Sequence, residues 1–294
     1  MKMYYYNGSP PNFGDELNCW LWPRLLPDFF NGQSDQIFLG IGSILFDFFP
    51  AASRKIVFGA GYGGYTAAPK MDKNWDVYFV RGPFTARTVG VDEALGIGDA
   101  AILVRSCIQA RPAKQFKVSF MPHWESLNDG DWPAVCAEAD VHLIKPSASV
   151  ESVLQDILSS DVVVTEAMHG AIVADALRVP WVAVRPLPQH RLKWLDWASA
   201  LHLDLRPMSL SPSTGLEAAI SWLARGSKSS ERVRRHGYFL KATWAPYFKE
   251  MAVRSLRRLS VQSPTLSSDT AIASAHERML EQLSMLNRRY GKAA

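Results

Sequence analysis

The fold is decided by residues 159–177, whose sequence is SSDVVVTEAMHGAIVADAL. Residues 161–164 predict the opening of a buried strand, and the apolar residues at positions 172, 173, 176 and 177 recur along one face of a helix. The turn between them, Met168-His169-Gly170, lies at the carboxyl end of the strand, where α/β folds bind ligands. Free N–H groups at a helix start attract anions, and a histidine there can carry a proton near neutral pH. The stretch therefore predicts an anion-binding site with an acid–base residue.

The composition bounds the size of the core and the kind of ligand. With 294 residues, 48% hydrophobic and 20% charged, the chain is long enough for two ordinary domains with substantial cores. The net charge of +4 suits an anionic ligand or a weak association with an acidic membrane surface. It is too small to indicate nucleic-acid binding, so no nucleic-acid partner is expected.

Cysteine usage and the N-terminus indicate a reducing compartment. The three cysteines, Cys19, Cys107 and Cys136, are widely spaced and form no CxxC pair. No Asp–His cluster has the spacing of metal ligands, so we expect no metal requirement. The N-terminus lacks the apolar core of a signal peptide, and no window reaches about 18 uninterrupted apolar residues. We therefore expect a cytoplasmic protein, which could lie peripherally at the inner membrane.

Strands and helices alternate along both halves of the chain. Apolar strand patterns fall at residues 3–6, 36–42, 55–61, 77–80, 117–121, 141–144, 161–164 and 180–185. Asp15 is the predicted N-cap of the first helix, and Ser149 that of a helix with an apolar stripe. The alternation predicts an α/β protein with parallel sheets in two Rossmann-like halves and a cleft between them.

The polar stretch 105–115 predicts the linker between the two halves. We therefore divide the chain into a Rossmann-like domain at 1–112, a second at 113–235, and a helical tail at 236–294 that packs back on the body. Glycine loops at 40–42 and 59–64 do not complete a GxGxxG motif with a helix behind it, so a dinucleotide site is only weakly indicated.

Several short motifs occur together in this chain. They are NFGDELN at 12–18, VRGPFTA at 80–86, Gly98-Asp99, Pro122-His123, MHGAIVADA at 168–176 and KWLDW at 193–197. In their order and spacing they resemble the polysaccharide pyruvyl transferase family from about residue 3 to about residue 200. The KWLDW motif is similar to the bacterial exopolysaccharide branch of that family.

The resemblance implies a GT-B-like fold, in which two Rossmann-like domains with parallel sheets face a central cleft. It implies that the enzyme moves the pyruvyl group of phosphoenolpyruvate onto a terminal hexose of an exopolysaccharide repeat unit, forms a cyclic ketal and releases phosphate. The acceptor in this branch is a lipid-linked oligosaccharide on the cytoplasmic face of the membrane. Phosphoenolpyruvate is then a donor substrate held by the second domain, the first domain holds the acceptor, and no cofactor is expected.

One position departs from the family pattern. Many members carry an arginine two residues before the histidine of the His-Gly pair, where it helps to hold the donor, and this chain has Ala167 there. Because the donor carries several negative charges, another cation is needed. The cations within the matched region are Arg81, Arg185, Arg191 and Lys193.

Ketal formation needs a proton for the methylene carbon of the donor and a base for an acceptor hydroxyl. We assign His169 as the general acid, and the same imidazolium could instead bind phosphate. Gly170 belongs to the anion-binding helix start, and Asp15 is the candidate base. His123 and Asn18 are candidates for holding donor or acceptor.

Most of these residues also have a purely structural alternative. His169 and His123 can be core histidines, and Asp15 can be a helix cap only. Arg81 can be a plain salt-bridge residue. The tryptophans at 194 and 197 can be core residues instead of platforms for a sugar.

The last part of the chain is helical and basic. Its arginines are Arg232, Arg234, Arg235, Arg254, Arg257 and Arg258. A solvated helix face and a patch against anionic lipid both fit this pattern. Two other functions also fit the two-domain plan: a GT-B-type nucleotide-sugar glycosyltransferase, and a non-catalytic scaffold of a polysaccharide assembly complex.

Overall fold

The computed structural model describes residues 1–32, 35–108, 111–184, 190–223 and 228–291. The chain forms two compact units. Unit 1 contains Met1–Ala110, Leu192–Asp204 and Ser267–Ala294, and unit 2 contains Arg111–Arg191 and Leu205–Leu266.

Each unit is built on one parallel sheet. The strands are β1 (Lys2–Tyr4), β2 (Gln36–Leu39), β3 (Arg54–Phe58), β4 (Trp75–Phe79), β5 (Phe116–Met121), β6 (His142–Leu143), β7 (Ser160–Thr165) and β8 (Trp181–Ala183). The helices are α1 (Phe13–Leu25), α2 (Pro83–Val89), α3 (Trp124–Asp129), α4 (Trp132–Ala139), α5 (Val150–Leu158), α6 (Met168–Ala176), α7 (Arg191–Ala200), α8 (Gly215–Trp222), α9 (Lys228–His236), α10 (Ala245–Leu259) and α11 (Asp269–Tyr290). Short 3-10 helices span Glu93–Leu95, Ala100–Ser106 and Tyr238–Lys241. The predicted α/β class with two parallel sheets is confirmed.

The sheet of unit 1 has the order β1-β2-β3-β4, and all of its strand pairs are parallel. Both faces are apolar because helices or loops cover both, as parallel sheets require. On one face the Trp22 ring of α1 lies 4.9 Å from Phe38 and 5.5 Å from Phe58, between ring centroids. On the other face Leu39 and Val57 belong to a separate core cluster that includes the buried residues of α2.

Helix α1 does not begin as the sequence suggests. Its first residue is the buried Phe13 and its N-cap is Asn12, so the prediction that Asp15 is the N-cap is wrong. Burial of the Phe13 ring extends the helix by one half-turn before Asp15. The Asp15 carboxylate lies in the first turn, where the helix dipole favours it, and it accepts a hydrogen bond of 2.8 Å from Asn12 Nδ2.

The Asn18 side chain ties α1 to the loop after β2. Its amide group donates to the carbonyls of Asp15 (3.1 Å) and Ile41 (3.0 Å). Its oxygen accepts from the N–H of Ile41 (2.9 Å) and from Trp22 Nε1 (2.8 Å). These four bonds use both amide hydrogens and both oxygen lone pairs, and the side chain is fully buried. Direct binding of substrate by Asn18 therefore does not fit this geometry, and Asn18 positions the loop instead.

The sheet of unit 2 has the order β6-β5-β7-β8, again all parallel. The first of these strands in the chain, β5, lies between β6 and β7, so the direction in which strands are added reverses between β5 and β7. Ligands of open α/β sheets bind at such a reversal, outside the carboxyl ends of the two strands.

Helices close the two units around these sheets. In unit 2, α4 and α10 contribute Trp132, Val135, Ala252 and Leu256 to one core cluster with the sheet residue Phe120. In unit 1, α11 packs against β4 and the 3-10 helix Ala100–Ser106. The segment 236–294 thus supplies one long helix to each unit. In the described parts of the chain, every helix is too short or too polar to cross a membrane.

We predict that Asn18→Ala destabilises unit 1 by about 2–4 kcal/mol, because it leaves several buried donors and acceptors without partners. Cys19→Ala, at the exposed next position of α1, should change the free energy of unfolding by less than about 0.5 kcal/mol. Urea unfolding followed by tryptophan fluorescence measures both variants. Equal stability of the two would show that the amide network contributes nothing.

Candidate active site

A buried ion pair organises the first candidate site, at the carboxyl edge of the unit 1 sheet. The Arg81 guanidinium, just after β4, donates to Asp196 Oδ2 of α7 at 3.1 Å, and both side chains are 2% exposed. It also donates to Ser43 Oγ in the loop after β2 (2.7 Å) and to the carbonyl of Tyr62 in the loop after β3 (2.8 Å). Because Asp196 already offsets its charge, Arg81 fits the salt-bridge alternative better than a donor clamp.

The same carboxylate caps helix α2. Asp196 Oδ1 accepts from the N–H groups of Phe84 (2.9 Å) and Thr85 (3.0 Å), and Oδ2 accepts from Thr85 Oγ1 at 2.5 Å. The N-cap residue Gly82 has no side chain to do this, and Pro83 has no N–H. A Cβ on Gly82 would lie 2.1 Å from the Asp196 carbonyl oxygen, so glycine is required there.

Lys193 lies three residues before this carboxylate on α7 and is half-buried. Its amine contacts the Tyr65 hydroxyl and lies 4.4 Å from the centroid of the Tyr65 ring. Burial and the positive charge of Arg81 lower the pKa of Lys193 to about 7, and the negative charge of Asp15 partly opposes this shift. Near neutral pH the amine therefore exists in both protonation states, so it can bind an anion or accept a proton. The structure thus brings Asp15, Arg81 and Lys193 together in unit 1.

The second candidate site lies where the strand order of unit 2 reverses. His123 follows β5, and its Nδ1 accepts a long hydrogen bond of 3.4 Å from Glu125 N at the start of α3. The backbone N–H of His123 donates to Glu166 Oε2 at 3.0 Å, and Glu166 follows β7. The ring of His190 lies 5.4 Å from the His123 ring, between centroids.

His169 is the second residue of α6 and is half-buried. The N–H groups of this first turn, Met168 to Gly170, have no acceptor within the helix, and the positive end of the helix dipole lies here. Gly170 is buried, and a Cβ on it would lie 2.6 Å from Thr165 Oγ1 and 2.8 Å from Met121 Sδ. Glycine therefore lets the first turn of α6 lie directly on the ends of β5 and β7.

The other residues singled out in the sequence lie on the surface, in the core or outside the described residues. Arg191, the first residue of α7, is exposed and belongs to unit 2. Arg185 lies outside the described residues. Ala167 is the buried N-cap of α6. Trp194 and Trp197 are fully buried, so their core alternative is confirmed. In the parts of the chain that the structure describes, no group of three His, Cys, Asp or Glu side chains could hold a metal ion.

Sequence reasoning missed Asp196, Glu166, Tyr65 and His190. Asp196 had a usable signal: α2 begins with Gly82-Pro83, which cannot cap itself, so a distant acceptor was required. Glu166 directly follows a buried strand, which was a signal for a site residue. Nothing local in the sequence marks Tyr65 or His190.

Both clusters lie at carboxyl ends of parallel strands, as sites do in α/β enzymes. The sequence matches the model of the polysaccharide pyruvyl transferase family over residues 3–187. The chain belongs to this family and is a transferase, so the resemblance inferred from the motifs is confirmed.

A particular relative is the succinoglycan biosynthesis protein ExoV of Rhizobium meliloti (strain 1021). It is 36% identical over 316 aligned residues, which cover 99% of this chain and 100% of that protein. No solved structure matches this chain.

We predict that Asp196→Asn destabilises unit 1 by about 3–5 kcal/mol, because it leaves the Arg81 charge buried without a counter-charge. The double variant Arg81→Met with Asp196→Asn should recover part of this loss. Arg87→Met, which removes an exposed ion pair between α2 and Glu93 of the following 3-10 helix, should leave the melting temperature unchanged. Thermal unfolding measures all three, and a double variant less stable than Asp196→Asn alone would contradict the prediction.

We also predict that Asp15→Asn lowers the pKa of Lys193 further below its ordinary value, because it removes the charge that raises it. Lysine reacts with acylating reagents as the neutral amine, so the midpoint of its pH-dependent labelling should move to lower pH. Peptide mass spectrometry across a pH series measures this midpoint, with Glu16→Gln on the same helix as control. A midpoint that stays or rises would show that Asp15 does not act on the amine.

Proposed function

We propose that the protein transfers the pyruvyl group of phosphoenolpyruvate to a terminal hexose of an exopolysaccharide repeat unit carried on a lipid. Membership of the family supports pyruvyl transfer to a polysaccharide, and similarity to a succinoglycan biosynthesis protein supports an exopolysaccharide acceptor. The observation that carries the proposal is the position of His169 in the first turn of α6, at the strand reversal of unit 2. The GT-B-like arrangement of the two units stays a prediction.

The donor would bind at this helix start. Its phosphate and carboxylate are both anions, and the N-terminal end of a helix, with the positive end of its dipole, is suited to one of them. His123 lies at the end of the neighbouring strand and is held through its backbone by Glu166. For the cation that replaces the family arginine at Ala167, Lys193, Arg191 and Arg185 remain the candidates, because Arg81 is already paired.

The reaction we propose has three steps. His169 gives a proton to the methylene carbon of phosphoenolpyruvate, which becomes the methyl group and leaves the adjacent carbon electrophilic. A first hydroxyl of the hexose adds to that carbon, and Asp15 takes its proton. A second hydroxyl of the same sugar then replaces the phosphate, which leaves with the remaining proton. The product carbon carries the methyl group, the carboxylate and two oxygens of the sugar.

Lys193 can assist Asp15 when Asp15 acts as the base. A neutral amine beside Asp15 can share the proton that the hydroxyl loses, and the protonated amine can hold an anion. A pKa of about 7 makes both forms available near neutral pH. The pH dependence of the apparent donor constant separates the two: donor binding through the ammonium weakens as the pH rises through the pKa of Lys193.

The test incubates the purified chain with phosphoenolpyruvate and a β-linked glycan acceptor and measures phosphate. Release that depends on the acceptor, together with a pyruvylated glycan by mass spectrometry, supports the proposal. Turnover of a UDP-sugar without use of phosphoenolpyruvate would replace it with glycosyl transfer. Binding of the glycan with no turnover of either donor would indicate a scaffold protein.

We predict that His169→Ala lowers the turnover number by at least about 100-fold, the usual contribution of a positioned general acid. His202→Asn is the control, because His202 is exposed at a left-handed backbone position that asparagine tolerates. Circular dichroism checks that both variants fold. Turnover of His169→Ala close to that of the wild type would remove this histidine from the mechanism.

A further inference from the structure

The C-terminal part of unit 2 is much more basic than the rest of the chain. Residues 232–258 contain eight Lys and Arg and one Glu, a net charge of +7. The whole chain has a net charge of +4, so the other residues together carry −3. Such a local excess indicates a surface that faces an anionic partner.

The structure shows which of these cations are already neutralised. Three form ion pairs within unit 2: Arg234 with Asp129 (2.9 Å), Lys249 with Glu138 (2.8 Å), and Arg254 with Glu250. Three others donate to backbone carbonyls, which leave their charge in place: Lys241, Arg257 and Arg258. Arg232 and Arg235 are exposed on α9. All six arginines of this segment look equivalent in the sequence. In the structure Arg234 and Arg254 are paired with carboxylates, so they contribute less positive charge for a partner.

Large aromatic side chains are exposed in the same segment. Tyr238 and Phe239, in the 3-10 helix after α9, are 74% and 67% exposed, and Trp244 before α10 is 71% exposed. The Lys241 amine lies 5.6 Å from the centroid of the Tyr238 ring. A cavity of about 610 Å³ is lined by Tyr238, Phe239 and Lys241 and by the first residues of α10. The 3-10 helix Tyr238–Lys241 and the start of α10 therefore lie next to each other.

We propose that these side chains form a surface that binds the headgroup region of a membrane containing anionic phospholipid. This aromatic–basic patch consists of Arg232, Arg235, Tyr238, Phe239, Lys241 and Trp244. A membrane interface binds both kinds of side chain in this patch. Cations are attracted to anionic headgroups, and Trp and Tyr partition to the boundary between headgroups and acyl chains. A nucleic acid or an acidic protein would bind the charged side chains but would bury less of the exposed aromatic rings. The proposal rests on the proposed function only in that a lipid-linked acceptor makes membrane binding useful.

The test is sedimentation of the full chain with sucrose-loaded vesicles, in the absence of donor and acceptor. We expect binding to vesicles of phosphatidylglycerol and phosphatidylcholine, much weaker binding to phosphatidylcholine alone, and a partition coefficient that falls as salt is raised. Arg232→Glu with Arg235→Glu should lower the partition coefficient at least about 30-fold. Phe239→Ser with Trp244→Asn should also lower it, by an amount that high salt does not remove.

The matched control is Lys70→Glu with Lys73→Glu, the same change of charge at exposed positions of unit 1. It should bind vesicles nearly as the wild type does. No sedimentation of the wild type with anionic vesicles, or equal losses in the control and the arginine variant, would overturn the proposal. Binding that is insensitive to the aromatic substitutions would also overturn it, in favour of a purely electrostatic partner such as a nucleic acid. Phosphate release with a water-soluble acceptor is assayed separately, so a failed reaction and a failed membrane contact are distinguishable.

Discussion

A carboxylate buried inside unit 1 must be fully paired, and the geometry of the site there follows from this requirement. Asp196 meets it through Arg81, 115 residues away in the sequence, and through the first N–H groups of α2. Arg81 in turn joins the loops after β2 and β3. The pair therefore fixes one end of the sheet and, through α7, the position of Lys193. The lowered pKa of that lysine follows first from its burial and then from the fixed positive charge of Arg81.

In unit 2, close packing fixes the candidate site. Gly170 lets α6 touch the strand ends, and Thr165 Oγ1 bridges the carbonyls of Met121 (3.2 Å) and Ala167 (2.9 Å). Glu166 holds the backbone of His123. The histidine of the His-Gly pair therefore lies on a first turn that packs against the strand ends, as the proton delivery proposed above would require.

Features set by neighbouring residues could be predicted from the sequence. The strand–turn–helix around His169 and the Ser149 cap of α5 are confirmed, because periodicity and capping are local. The roles of Asn18 and Asp196 could not be predicted, because each side chain bonds to residues that only the folded chain brings close. The pairing of Arg234 could not be predicted either. Asp129, which neutralises it, lies 105 residues earlier, and no local sequence pattern indicates that pair. The start of α1 was missed because tertiary burial of Phe13 outweighs the capping preference of Asp15.

The chain passes between the two units four times, and this has a consequence for synthesis. Unit 1 begins with the first residue, yet it needs Asp196 to pair Arg81 and α11 to cover β4. In a ribosome-bound chain that ends before residue 196, Arg81 therefore has no Asp196 to pair with, and β4 has no α11 to pack against it. Unit 1 can reach its final state only when nearly the whole chain has been made, and no single cut of the chain separates the two units.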